Sequence, residues 1–150
     1  MEDSVVTPSY AIGVYRSVCV LMWRARPSAE AARDAVRFCL DHDRDFTVLF
    51  VVVQEGVMPP GEEARDQFSR LAQANRRPVF ATVEGTGFLG AAVRAALTGI
   101  AFVTRHRALN VCRETDDAAM ALPVVLGSGF DVEHFRGALA DLRAERGEGR

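Results

Sequence analysis

The chain has 150 residues, of which 49% are apolar and 25% charged, and its formal net charge is −2. That composition describes one globular domain able to bury a core, and argues against a disordered chain. All 18 basic residues are arginine, which excludes Schiff-base chemistry, a P-loop lysine and a Tyr-x-x-x-Lys dehydrogenase pair.

The scattered arginines form no basic stripe, so no nucleic-acid partner is expected. No apolar run approaches the ~20 residues of a bilayer span, so no membrane span is expected. The first residues, MEDSVVTPSY, are acidic where a signal peptide would be positive, and the expected location is cytoplasmic. Cys19, Cys39 and Cys112 lie far apart in sequence inside apolar segments. An odd count without a C-x-x-C spacing fits reduced, buried thiols.

Residues 1–9 read as an N-terminal arm, 10–146 as a single domain, and 147–150 as a frayed tail. Residues 10–23, YAIGVYRSVCVLMW, read as two short strands joined near Arg16 and Ser17. Ser28 is an N-cap candidate for a first helix whose apolar side is Ala32, Ala35, Val36, Cys39 and Leu40. Residues 46–53, FTVLFVVV, are almost unbroken apolar, as in a central strand covered on both faces.

After a loop at 54–60, residues 61–76 read as an amphipathic helix, and 78–83 as the next strand. Leu89, Val93, Leu97, Ile100 and Val103 recur at helical intervals and predict one long helix over about 88–104. Leu109 to Cys112 follows as a short strand. Thr115 or Asp116 would cap a fourth helix that Pro123 must end or kink, and Asp131 a last one. The predicted class is α/β: a mainly parallel or mixed central sheet with flanking helices, in the order β-β-α-β-α-β-α-β-α plus a C-terminal helix.

Gly85, Gly87 and Gly90 stand in G-x-G-x-x-G order after a strand and opening a helix. In a dinucleotide site they would cradle a pyrophosphate, with Arg105, His106 and Arg107 near a 2′-phosphate. That version breaks the helix at Gly99 and makes residues 100–104 a strand, which leaves a helix too short for a crossover. The alternative is a tight turn with close helix–strand packing.

Asp41, Asp43 and Asp45 begin like a calcium loop, but Phe46 and Val52 occupy its glycine and glutamate positions. His42, His106 and His134 form no ligand pair and read as surface residues. No G-x-S-x-G elbow is present. No catalytic residue, metal site or cofactor is expected.

The strand–helix order over about residues 10–126 resembles the STAS fold of anti-sigma-factor antagonists, and more loosely SEC14-type lipid-binding domains. The segment that carries this is ValGluGlyThrGlyPhe at 83–88, leading to Ala92-Val93-Arg94 and Thr98-Gly99. The resemblance implies a regulatory docking module with a protein partner, such as a kinase or sigma-factor regulator, and a possible homodimer. Signalling STAS domains carry a phosphoacceptor Ser or Thr after the central strand, whereas no hydroxyl residue occurs here between Gln54 and Gln67.

The expected function is therefore a non-catalytic interaction module. Its expected surface is the loop and helix start at Glu55, Val57, Met58, Pro59, Pro60 and Arg65, where an apolar cluster falls in a loop. The alternatives are an NADP- or nucleotide-binding enzyme using Gly85, Gly87, Gly90 and Arg105, and an apolar-ligand domain with a cavity between helices and sheet.

Overall fold

The computed structural model describes residues 1–146; the predicted frayed tail at 147–150 lies outside them. The strands are β1 (Glu2–Val6), β2 (Tyr10–Tyr15), β3 (Val18–Trp23), β4 (Val48–Val53), β5 (Val79–Val83) and β6 (Leu109–Cys112). The helices are α1 (Ala29–Asp41), α2 (Glu62–Ala74), α3 (Gly87–Thr104), α4 (Thr115–Leu126) and α5 (Val132–Ala144). All six strands join one sheet in the sequential order β1-β2-β3-β4-β5-β6. β1, β2 and β3 pair antiparallel, and β3 to β6 pair parallel. The α/β class read from the sequence is the class observed.

Three successive crossovers of one hand place α1, α2 and α3 on one face of the sheet. That arrangement leaves the second face bare, and α4 and α5 cover it. β4 shows why its sequence is apolar throughout. Leu49, Val51 and Val53 pack into the core under α1 to α3, while Val48, Phe50 and Val52 pack with Leu122 of α4 and Phe135 of α5. A strand covered on both faces has no solvent side on which to place a polar residue.

The predicted N-terminal arm is instead β1, which pairs Val5 with Ile12 and Val6 with Ala11. Its ladder is irregular between Glu2 and Val5, and Asp3 adopts a left-handed φ of 49°. Charge and a bulge blunt this edge of the sheet. Pro123 neither ends nor breaks α4. Its carbonyl still accepts from the Gly127 N–H at 2.9 Å, which closes a last turn beyond it. The N-cap of α4 is Glu114, because the Thr115 hydroxyl is committed to Glu84.

α3 runs unbroken through Gly99, as the long-helix reading expects. Of the apolar residues at helical spacing, Val93 is buried, Leu97 and Ile100 are half-buried, and Leu89 and Val103 are exposed. An 18-residue helix is about 27 Å long, and the five-residue β5 and four-residue β6 beneath it span roughly 17 Å or less. α3 is thus longer than the two strands that it connects. Leu40 of α1 is likewise exposed rather than buried.

Candidate functional site

α3 differs from a finished surface helix. Its sequence, GFLGAAVRAALTGIAFVT, is apolar around nearly its whole circumference, the pattern of a helix that is covered on all sides. Its mean hydropathy is 1.6, so by length and composition alone it is the one candidate for a membrane span among the described residues. Here it serves as the crossover between paired strands β5 and β6. Phe88 is 86% exposed and Phe102 84%. With Ala91, Ala95 and Thr98, all exposed, they form an outward stripe at spacings of three and four residues. Arg94 is the only charged side chain on α3, and its Nη2 donates to the carbonyls of Val83 at 3.1 Å and Gly85 at 3.0 Å. The charge is thereby turned back toward the β5 end. On the opposite side of the sheet, α4 exposes Met120 and Val124.

The inner side of α3 bounds a cavity of about 120 Å³ between α2, α3 and the sheet. Trp23, Val51, Phe68, Val93 and Leu97 are among its apolar walls, and Val57, Met58 and Pro60 form part of its wall from the 54–61 loop. At the C-terminal end of α3 the chain turns through Arg105 in the left-handed region (φ 55°), and the His106 N–H donates to the Ala101 carbonyl at 2.9 Å. His106 lines the cavity, so its predicted surface position is a correction. His42 is half-buried and stacks on Phe38, and His134 is exposed and hydrogen-bonds the Tyr15 hydroxyl.

The loop predicted as an interaction surface divides in two. Glu55, Met58 and Arg65 are exposed, Val57 is buried and Pro60 half-buried, and Val57, Met58 and Pro60 also line the cavity. Pro59 is half-buried. The apolar cluster thus lines the cavity from one side while leaving Met58 exposed.

The glycines open α3 as a close-packed turn. A Cβ on Gly90 would stand 2.2 Å from the Gly85 carbonyl oxygen, and Gly87 adopts φ 77°. Gly87 and Gly90 each have a backbone reason, whereas a Cβ on Gly85 would meet only ordinary contacts at 3.8 Å. Arg105 is at the far end of α3, about 27 Å away along the helix, so one phosphate-binding site cannot use both. Beside the glycine turn, a polar cleft of about 310 Å³ is lined by Glu84, Glu114 and Asp116 as well as Arg113 and Arg143. Three carboxylates against two guanidiniums disfavour a pyrophosphate there. The Glu84 carboxylate is already held by Arg143 and by the Thr115 hydroxyl, which donates to it at 3.1 Å.

Cys19 and Cys39, distant in sequence, meet under α1. The hydrogen bond with Cys39, followed by burial, pushes the Cys19 thiol well above its ordinary range. Burial, with Asp117 nearby, also raises Cys112. All three cysteines are free. Asp43 is tied by Arg77 and by the Asn75 side-chain amide, which donates to it at 3.1 Å. No cluster with metal-ligand composition occurs among the described residues.

No protein-family model, curated protein or solved structure matches this chain.

The exposure of Phe88 and Phe102 and the burial of His106 are not among the sequence-based expectations. For Phe88 and Phe102 a signal existed, because a helix apolar on every side needs more cover than one sheet supplies. For His106, between two arginines at a helix end, no local signal distinguishes buried from exposed.

Proposed function

We propose that the chain is a non-catalytic binding module that works as a homodimer, joined through the outward stripe of α3. The observation that carries this reading is the pair of phenylalanines, 86% and 84% exposed, on a helix whose one charge is turned away from them. Contiguous apolar surface of that kind marks an interaction site on a water-soluble domain.

The stripe is complementary to itself. Two copies of α3 crossing antiparallel about Ala95 set Phe88 of one beside Phe102 of the other. Ala91, Ala95 and Thr98 between them are small enough for close helix approach. Phenylalanines bury about 150–250 Å² each, so the four in a dimer supply roughly 600 Å² or more. The intervening residues and Val103 carry the total toward the ~1,000 Å² of a specific interface. A two-fold axis of this kind is the commonest way that soluble chains assemble.

The STAS resemblance adds a regulatory setting to this reading, with docking rather than phosphorylation as its means, since the turn after β4 has no hydroxyl residue. The mass in solution tests it. At micromolar concentration the chain is expected at twice its 16.4 kDa, and Phe102→Glu, a change at an exposed position, is expected to give a folded monomer. A wild-type monomer, or a dimer indifferent to Phe88→Glu and Phe102→Glu together, would remove this reading. A monomer whose α3 partitions into phosphatidylcholine vesicles would assign the face to a lipid surface instead.

A further inference from the structure

We infer that the cavity beneath α3 binds a compact carboxylic acid, aromatic or short-chain, with its carboxyl group on His106. This site faces inward on α3 and does not depend on the dimer. His106 is 7% exposed, and neither its Nδ1 nor its Nε2 has a hydrogen-bond partner among the described residues. Buried polar atoms are almost always paired, and leaving them unpaired is costly. The ring lines a space whose other walls are almost wholly apolar, with Asn75 the one other polar residue. One hydrogen-bonding group in an apolar cavity is the usual design of a small-molecule site: a body to fill the space and a head to orient it.

Size and charge narrow the occupant. An apolar cavity of ~150 Å³ accommodates benzene, so about 120 Å³ suits one ring or a short alkyl chain and is too small for a two-chain lipid. No Asp or Glu lines the cavity. At the His106 end, Arg76 donates through Nη1 to the Thr104 carbonyl at 2.7 Å and through Nη2 to the Arg105 carbonyl at 2.9 Å. Arg105 and Arg107 flank the histidine and are exposed. With no carboxylate among the described lining residues and an arginine on either side of His106 in the sequence, an anion is favoured over a neutral alcohol or amine. Met58, partly exposed at the rim and lining the space within, is a flexible side chain suited to admitting a ligand.

The test is a methyl and imidazole NMR titration of the full chain with benzoate, hexanoate and toluene. Benzoate or hexanoate is expected to shift the His106 ring together with the Val93 and Leu97 methyls. His106→Leu is expected to weaken acid binding at least tenfold while toluene binds as before. Ala96→Phe, which fills the cavity from α3, is expected to abolish binding of all three. Acid binding unchanged in His106→Leu, toluene bound as tightly as benzoate by the wild type, or no methyl shift with any probe would each overturn the inference. Should His106→Leu not fold, His106→Gln retains a donor and an acceptor and must still bind the acid better than it binds toluene.

Discussion

α1 and α3 are crossover helices on the same face of the same sheet, yet their surfaces are opposites. α1 buries Ala32, Ala35, Val36 and Cys39 and turns Arg33, Asp34 and Arg37 to water. Its first turn is closed by Ser28, whose hydroxyl accepts from the Ala31 N–H at 3.0 Å. α3 has no side-chain cap, buries Val93 as its one large apolar residue, and carries phenylalanines on its outside. Both hold to the sheet, but α1 turns charged residues to water where α3 turns phenylalanines. The lesson is that apolar content alone does not say where a helix is buried. The division of apolar and polar residues around its circumference does.

The sharpest way to break this comparison is at the start of α3, where packing does the work that Ser28 does for α1. Gly90→Ala forces a Cβ to 2.2 Å from the Gly85 carbonyl, backbone that cannot swing aside. A loss of about 3 kcal/mol is expected in urea unfolding. Gly85→Ala meets only ordinary contacts at 3.8 Å and should cost much less. Equal effects at the two positions would mean that close packing is not the reason for these glycines.

The seal beneath α1 predicts a pH effect. Folding holds the Cys19 thiol protonated through Cys39 and burial, whereas an unfolded thiol ionises near ~8.5. Below that pH both states keep the proton and stability is unaffected. Above it the unfolded chain loses a proton that the folded one retains. Stability should then fall by about 1.4 kcal/mol per pH unit from this group. Tyr10, raised mainly by burial, adds to the slope only near ~10 and above. Urea midpoints on either side of the thiol range, for the wild type and for Cys19→Ala, measure it; an identical slope in both would refute the assignment.

The smallest effect sharpens the contrast between the two helix starts. Ser28→Ala should cost about 1 kcal/mol. Thr86→Ala should change stability by no more than a few tenths, ~0.3 kcal/mol, because Thr86 makes no capping bond. Comparable losses would show that α3 is capped in solution by the means that α1 uses.

Much of the fold is legible in the sequence because the governing interactions are local or repeat along it. Unbroken apolar residues mark β4, helical periodicity marks α1 and α2, and Ser28 and Asp131 cap the helices they were expected to cap. The mixed α/β sheet follows from the alternation of those elements. The candidate sites are less legible, because they depend on distances between elements. Only the fold shows that Val57, Met58 and Pro60 serve a cavity, that Arg105 stands a helix length from Gly85, and that Cys19 and Cys39 touch.

What the sequence by itself determined is the order and type of the elements from β2 onward, the absence of lysine chemistry, and the excess of apolar residues on α3. The tertiary structure decided which of those residues are covered. α3 lies on one face of the sheet with its outer side uncovered, so its outer stripe remains open while its inner side roofs a cavity. Periodicity fixes which residues share a side of a helix. The elements packed against it decide whether that side meets protein or water.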